Sequence, residues 1–178
     1  MSDRFVVLSG CSGGGKSTLL AELGRRGYSV VEEPGRRIVQ EEQAVGGTAL
    51  PWIDPRAFID RAITMALADR EAMAGEPGWV FFDRGLLDAA SALEEMTGEP
   101  VLAEYARRHP DHRTIFLTPP WPEIYETDAE RQHDFAQAER EYVRLLRDYR
   151  RAGYEVLEVP KLPVAQRADF ILAQLPTS

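Results

Sequence analysis

Residues 4–20 read RFVVLSGCSGGGKSTLL, and this stretch decides the fold of the chain. Residues 5–8 form a short apolar run of the kind that builds a buried parallel strand. From Gly10 to Ser17 the residues fit the pattern G-x-x-x-x-G-K-[ST], a loop that wraps around phosphate groups. Because this loop lies between a predicted strand and a predicted helix, we expect a binding site for a nucleoside triphosphate.

The residue types in the loop suit phosphate binding. Three successive glycines let backbone N–H groups turn toward phosphate oxygens, because no Cβ stands in the way. The helix that begins near Lys16 directs the positive end of its dipole at the same phosphates. We expect Lys16 to reach the β- and γ-phosphates and the Ser17 hydroxyl to bind Mg²⁺. The predicted phosphate-binding residues are Gly10, Ser12, Gly13, Gly14, Gly15, Lys16, Ser17 and Thr18.

Composition limits the other classes of function. The 178 residues, 44% of them hydrophobic, suit one α/β domain, which we predict to span residues 1–178. The chain has no apolar run of about 18 residues, and its N-terminal stretch is not typical of a signal peptide. The net charge of −8 argues against a nucleic-acid partner. The lone cysteine, Cys11, excludes an internal disulfide and predicts a cytoplasmic protein.

Five short apolar segments alternate with helical patterns along the chain. This alternation predicts an α/β fold of the P-loop NTPase type: a doubly wound, five-stranded parallel sheet with helices on both faces and a small lid. In such sheets, ligands bind beyond the carboxyl ends of the strands. The predicted strands cover residues 5–8, 28–31, 79–82, 113–117 and 154–159. The predicted helices cover residues 16–25, 38–45, 55–74, 86–96, 101–108, 129–152 and the stretch from 163 onward.

Asp83 and Arg84 follow the third predicted strand. An acidic residue at this point holds Mg²⁺ through water in phosphate-loop enzymes, and Asp83 is the candidate for it. ATP hydrolases that drive mechanical work usually have a second carboxylate next, which activates water, whereas this chain has Arg84. The pair therefore favours phosphoryl transfer to an acceptor, or slow hydrolysis. In a purely structural interpretation, Asp83 caps the next helix.

Glu32 and Glu33 close the second predicted strand. One of them, with Glu33 preferred, is placed to accept a proton from an acceptor hydroxyl or to orient that hydroxyl for in-line attack. The alternative is that both carboxylates stabilise the positive start of the next helix. The residues alone favour neither interpretation.

A proline-rich segment after the fourth strand cannot continue a strand or a helix, and we predict a lid over about residues 119–135. Arg131, where this segment meets the long helix, is a candidate for closing over the phosphates and stabilising the transferred charge. The alternative for Arg131 is a solvated helix face. We expect Arg140, Arg144 and the three histidines to lie at the surface. Trp52 is the tryptophan best placed for an acceptor pocket.

Glu33-Pro34 after the second strand and Asp83-Arg84-Gly85 after the third resemble the deoxynucleoside kinases. In that family, Glu-Pro supplies the base and Glu-Arg-Ser supplies the metal and phosphate contacts. The resemblance therefore implies that Arg84 contacts phosphate. This chain has Asp and Gly where that family has Glu and Ser, so the division of roles between Glu33 and Asp83 stays open.

A closer resemblance covers nearly the whole chain. It is to the small AAA-type ATPase and kinase-like family that includes the ribosylnicotinamide kinase domain of bifunctional NAD regulators. The family's motifs are GxxGxGKST, Glu-Pro-x-Arg, Asp-x-x-Arg and Gly-Tyr-x-x-x-x-Val-Pro, which fall here at Gly10–Thr18, Glu33–Arg36, Asp128–Arg131 and Gly153–Pro160. The resemblance implies that Pro160 and Lys161 lie beside the adenine of ATP. Because the family includes nucleotide binders that are not kinases, it does not define a substrate.

We therefore predict a kinase that uses ATP and Mg²⁺ and transfers the γ-phosphate to a small hydroxyl acceptor of nucleoside type. Lys16 and Arg131 would stabilise charge, and Glu33 would act as the base. Ser17 and Asp83 would hold the metal. The alternative is a nucleotide-dependent switch or binding protein, using ATP or GTP, with slow hydrolysis and no small-molecule acceptor. A guanine-specific version is disfavoured because the chain has no asparagine for an Asn-Lys-x-Asp base reader. A mechanical AAA-type hydrolase is disfavoured by the arginine after Asp83 and by the lack of room for a helical lid domain.

Overall fold

The computed structural model describes residues 2–11, 15–121 and 129–177, and it centres on a five-stranded sheet. The strand order is β2-β3-β1-β4-β5, and each pair of neighbours runs parallel. The strands are β1 (Phe5–Gly10), β2 (Ser29–Val31), β3 (Val80–Asp83), β4 (Thr114–Thr118) and β5 (Glu155–Glu158). The helices are α1 (Lys16–Arg25), α2 (Pro34–Val45), α3 (Pro55–Ala72), α4 (Leu86–Thr97), α5 (Leu102–Arg108), α6 (Ala129–Arg151) and α7 (Val164–Gln174). One turn of 3-10 helix, Ser2–Arg4, precedes β1.

Side chains alternate along β1, so each face of the sheet has its own apolar core. Val7 belongs to the core that α4 and α6 cover, where it shares a cluster with Leu145. Val6 belongs to the opposite core, which α1 and α7 cover with residues such as Leu19 and Ile171. The strands β1, β3 and β4 are buried along their whole length, which explains their continuous apolar runs.

The helix α3 packs outside α4 and forms a third apolar cluster with it, which includes Ile63 and Leu86. This helix begins where the sequence indicates, because the Asp54 side chain accepts a hydrogen bond from the Ala57 backbone N–H at 3.1 Å and Pro55 starts the first turn. The arrangement holds one face of α3 against the beginning of α4, next to the carboxyl end of β3.

The predicted fold class is confirmed, and most strands and helices begin and end close to their predicted positions. The helix α2 begins earlier than predicted, at Pro34, because proline is well suited to the first turn of a helix. The strand β1 is longer than predicted, because Ser9 and Gly10 still pair with Leu117 and Thr118 of β4. Residues 122–128 of the predicted lid lie outside the described residues, and a single domain over the whole chain stays a prediction. In the part of the chain that the structure covers, no helix has the length and apolar character needed to cross a membrane.

The expectation of surface histidines is wrong for His112, which is buried. Its backbone N–H donates to the Phe5 carbonyl at 2.8 Å, so the segment before β4 runs beside the start of β1. Its Nδ1 atom accepts from the Thr114 N–H at 3.2 Å, and Trp79 packs edge-on against its ring. Sheet pairing therefore carries His112 inside. His133 lies outside the described side chains.

Candidate functional site

The carboxyl ends of the strands bring the candidate residues to one edge of the sheet. Asp83, the last residue of β3, lies opposite Leu8 of β1. Gly10 lies opposite Thr118 at the end of β4. Glu33 follows β2 and occupies the position just before α2, where its side chain makes no capping hydrogen bond, and β2 pairs with β3. The candidate phosphate, metal and base residues therefore share the edge at which parallel sheets bind ligands.

Gly10 is needed where β1 leaves the sheet. Its φ of +128° is one that residues with a Cβ rarely adopt, and an added Cβ would overlap the Thr118 carbonyl oxygen. Thr118 donates its hydroxyl to the Ser9 carbonyl at 3.1 Å. The first glycine of the loop pattern thus allows β1 to pass close to β4.

The first turn of α1 carries the described part of the phosphate loop. Gly15 precedes it with a φ of +79°, and no side chain caps the helix start. Lys16 is buried, and its Nζ atom donates to the Cys11 carbonyl at 2.7 Å. Ser17 and Thr18 are exposed, so the N–H groups of this turn are open to an anion. Three predicted members of the loop lie outside the described residues: Ser12, Gly13 and Gly14.

Asp83 is a buried carboxylate whose Oδ1 atom has no hydrogen-bond partner among the described residues. Burial raises the pKa of Asp83 to about 6, while the Lys16 ammonium opposes that rise and the Glu33 carboxylate adds to it. Burial lowers the pKa of Lys16, and the charge of Arg84 lowers it further. A buried anionic oxygen without a partner is suited to a cation.

The donors at this site suit a Mg²⁺ ion that takes only part of its ligands from the protein, rather than a site built from protein ligands alone. Across residues 2–11, 15–121 and 129–177, no group of three or more His, Cys, Asp or Glu side chains could hold a metal ion. Mg²⁺ usually takes only one or two protein oxygens, and the phosphates of the nucleotide and water supply the others. Asp83 and Ser17 provide such a partial set.

Arg84 is the centre of a charged cluster. Its backbone φ of +61° is unusual for a residue other than glycine, and its backbone N–H donates to the Leu8 carbonyl at 2.9 Å. Three carboxylates face its guanidinium group: Glu141 at 2.7 Å from Nη2, Glu33 at 3.3 Å from Nε and Asp88 at 3.7 Å from Nη1. Burial opposes the charge of Arg84, but the carboxylates outweigh it and raise the pKa. Burial alone would raise the pKa of Glu141, and Arg84 instead lowers it.

Asp88 anchors this cluster to the core. Its Oδ1 atom accepts from the Gly85 N–H at 3.0 Å and from the buried Tyr149 hydroxyl. Its Oδ2 atom accepts from the Ser9 hydroxyl at 2.6 Å. These bonds tie α4 to β1 and α6 and hold a carboxylate near Arg84. Sequence reasoning missed Asp88, although an acidic residue in the first turn of a helix is a capping signal.

A cavity of about 300 Å³ opens beside Glu33 and Arg84. This volume is at the lower end of the range of about 300–1,000 Å³ for small-molecule sites. Further carboxylates, from Asp88 and Glu141, line the same opening. The apolar wall comes from α3 and α4 and includes Phe58, Ile59, Ala62, Ala89 and Ala92.

The cavity corrects two expectations about side chains. Arg144, expected at the surface, lines the cavity from α6 and is half-buried, because α6 packs against α4 there. Trp52 is 62% exposed, and its neighbour Pro51 lines the cavity instead. Arg140 is exposed as expected.

Arg167 on α7 joins the phosphate loop to the loop after β5, and it was not among the predicted residues. Its Nη1 atom donates to the Gly15 carbonyl at 3.3 Å, and its Nε atom donates to the Leu162 carbonyl at 2.9 Å. Its guanidinium group lies over the Trp121 ring at 5.4 Å. The candidate adenine neighbours, Pro160 and Lys161, belong to the same loop after β5. No sequence pattern marks Arg167, because it occurs among the buried positions of an amphipathic helix.

Arg131 lies near the start of α6, and its side chain is outside the described residues. Its closure over the phosphates therefore stays a prediction. The same holds for Asp128, which was expected to form a motif with it and which lies outside the described residues altogether.

A family model described as an AAA domain matches residues 5–167. The chain belongs to this family. The match covers every strand of the sheet and reaches Arg167 of α7. Among curated proteins, no sequence matches this AAA-domain protein.

Solved structures of deoxyadenosine kinase from M. mycoides share the fold of this AAA-domain protein. The structure with bound dATP has a TM-score of 0.60 at 15% identity, over 96% of this chain and 98% of the kinase chain. The structures with bound dCTP and with the products dCMP and dCDP give TM-scores of 0.54 and 0.52 at the same identity, each over 96% of this chain and 97% of the kinase chain. At this identity the likeness is one of fold, and it supports the P-loop NTPase class. The expected likeness to ribosylnicotinamide kinase stays a prediction.

Proposed function

We propose that this AAA-domain protein is a kinase that transfers the γ-phosphate of ATP to a small hydroxyl acceptor of nucleoside type. The observation that carries the proposal is the cavity beside Glu33 and Arg84, at the edge of the sheet where the phosphate loop begins. A hydrolase needs only water at this place, whereas a cavity with an apolar wall suits an organic acceptor. The shared fold with a deoxyadenosine kinase supports the proposal by analogy.

The residues of the site would divide the work as follows. Lys16, held by the Cys11 carbonyl, would stabilise the charge of the transferred phosphate. Glu33 would accept the proton of the acceptor hydroxyl or orient it, and Arg84 holds the Glu33 carboxylate at 3.3 Å. Ser17 and Asp83 would hold Mg²⁺, which when bound neutralises charge on the β- and γ-phosphates.

Two further assignments belong to this proposal. Pro160 and Lys161 would lie beside the adenine, and Arg167 would hold their loop against the phosphate loop through Leu162 and Gly15. Arg131 would approach the phosphates from the start of α6 and help to exclude water.

The decisive experiment measures ADP formation from ATP and Mg²⁺ in the presence of single nucleosides, ribosylnicotinamide and short alcohols. Lys16→Ala serves as the blank. We expect one acceptor to raise the rate well above the rate without acceptor, and Glu33→Gln to abolish the gain. The exposed neighbour Glu32 provides the matched control, because Glu32→Gln should retain the gain.

The opposite result would support the alternative of a nucleotide-dependent switch. In that case the protein binds ATP tightly, but no acceptor in the set accelerates ADP formation. A gain that survives in Glu33→Gln would leave the kinase in place and remove Glu33 as its base.

A further inference from the structure

The cavity beside Glu33 contains few groups that can donate a hydrogen bond to a ligand. Among its described lining residues, Arg84 and Arg144 are the ones with side-chain N–H donors. The remaining polar side chains there are the carboxylates of Glu33, Asp88 and Glu141. Among the side chains, these two arginines are therefore the donors available to an acceptor atom on a bound ring.

Arg84 is already engaged. Its three guanidinium nitrogens lie within ion-pair distance of Glu141, Glu33 and Asp88. Its Nη2 atom also donates a hydrogen bond to Glu141, whereas Nε has no hydrogen-bond partner among the described residues. Turning Arg84 toward a ligand would leave the buried Asp88 and the half-buried Glu33 and Glu141 without their cation, which is unfavourable. Of the two arginines, Arg144 is the one that a ligand can engage without breaking up this charged cluster.

The guanidinium group of Arg144 is hydrogen-bonded through Nε and, among the described residues, not through its two terminal nitrogens. Its Nε atom donates to the Ser91 hydroxyl at 3.1 Å, and that hydroxyl donates to Asp148 at 2.6 Å. Asp148 is buried between α4 and α6. The two terminal nitrogens of Arg144 make no hydrogen bond with any residue in the described ranges. A guanidinium group fixed in this way presents a planar pair of donors.

We propose that Arg144 is the specificity-determining residue of this cavity, and that it recognises a paired acceptor edge, a carbonyl oxygen next to a ring nitrogen, on a neutral ring. Arginine binds such an edge of a keto purine through two parallel hydrogen bonds. A carboxylate or phosphate on the ring would suit Arg144 equally well, but it would have to pass Glu33, Glu141 and Asp88 at the same opening. Their charge favours a neutral ring, and the apolar wall around Phe58 suits its faces. The inference rests on the proposed function in one respect, since it takes the cavity as the acceptor site.

Equilibrium binding of inosine and adenosine, measured by calorimetry without ATP, tests this inference separately from catalysis. At position 6 inosine has a carbonyl acceptor where adenosine has an amino donor, and at N1 inosine has a donor where adenosine has an acceptor. A preference that depends on Arg144 therefore reports the carbonyl, because an arginine can only donate. We expect the wild type to bind inosine at least about tenfold more tightly than adenosine. Arg144→Ala should abolish the difference. Arg144→Lys should lose most of it, since lysine retains the charge without the planar fork.

Controls separate the role of Arg144 from general effects on the helix. Arg140→Ala removes an exposed charge one turn earlier on α6 and should leave the preference unchanged. Ser91→Ala removes the acceptor that orients Arg144, and we expect it to reduce the preference while both nucleosides still bind. Thermal unfolding of each variant identifies any that fails to fold.

Each outcome separates the inference from the proposed function. A preference for inosine that persists in Arg144→Ala overturns the inference, as does a preference for adenosine or the absence of binding by either nucleoside. If the preference depends on Arg144 but no nucleoside is phosphorylated, the inference stands and the proposed kinase activity fails. If a nucleoside is phosphorylated without any influence of Arg144 on the choice, the kinase stands and the inference fails.

Discussion

Replacing Asp83 by asparagine should make the nucleotide-free protein more stable, although Asp83 is the proposed acidic metal ligand. The Asp83 carboxylate is 3% exposed, and its Oδ1 atom has no partner among the described residues. An ionised carboxylate in this place costs free energy, which the Lys16 ammonium recovers only in part and a bound metal ion would recover further. Asparagine has the same shape and no charge, so it avoids that cost.

The pKa gives the size of the effect. Burial raises the pKa of Asp83 from its ordinary value of 3.8 to about 6. At about 1.36 kcal/mol per pKa unit, ionised Asp83 lowers the free energy of unfolding by about 3 kcal/mol. Because the folded-state pKa is the higher one, the folded protein binds the proton more tightly. The contribution of Asp83 to the free energy of unfolding is therefore fully present below its unfolded-state pKa of 3.8. It is lost as the pH rises from 3.8 to about 6.

Urea unfolding of the wild type and Asp83→Asn, at about pH 7.5 and about pH 5, measures this difference. The variant should be more stable by up to about 3 kcal/mol at the higher pH, and the gap should shrink to roughly half at the lower pH. Asp60→Asn, at an exposed carboxylate, is the control and should change stability little at either pH. If Asp83→Asn is destabilising at both values, or if the gap is independent of pH, Asp83 is not a desolvated carboxylate.

Two further substitutions test the geometry of the phosphate loop. Gly10→Ala should lower the free energy of unfolding by at least about 3 kcal/mol, because the added Cβ overlaps β4 and the φ is strained. The control is Gly27→Ala, which has a positive φ but open space around it and should lower the free energy of unfolding by only about 1–2 kcal/mol. Equal losses in urea unfolding would show that β4 gives way to the added Cβ. Arg167→Ala should weaken ATP binding about tenfold, since it removes two charged hydrogen bonds that join the phosphate loop to the loop after β5, the proposed neighbours of the nucleotide. Calorimetry of ATP binding measures this loss. The control is Arg26→Ala, which breaks hydrogen bonds between the other end of α1 and α7 and should bind ATP like the wild type. An equal loss of affinity in both variants would contradict a local role for Arg167.

The fold could be predicted because its signals are local. The apolar run before Gly10, the glycines after it and Lys16 lie within one short stretch, and their order alone indicates strand, loop and helix. The start of α3 at Asp54-Pro55 is a similar case, since the cap and the proline act on adjacent residues. All five predicted strands were also found, and the apolar runs of β1, β3 and β4 are explained by the burial of these three strands.

The contacts that complete the candidate site could not be predicted, because they join residues that are far apart in the chain. Arg84 and Glu141 are 57 residues apart, and Ser9 and Asp88 are 79 apart. Their meeting depends on the way α4 and α6 pack over the sheet, which no periodicity reveals. Arg144 shows the consequence most clearly: its place on α6 suggested solvent, but packing against α4 turns it toward a cavity.

The pairing of β1 has a consequence for the order in which the protein folds. Phe5 lies opposite Val80 and Leu8 lies opposite Phe116, so 75 and 108 residues separate the partners. Contacts between such distant residues form slowly, because long loops must close first. During synthesis the phosphate loop is made early, but β1 can pair with its neighbours in the sheet only after β3 and β4 have been made. We therefore expect nucleotide binding to develop late in folding, although the phosphate-loop motif that predicts it ends at Thr18.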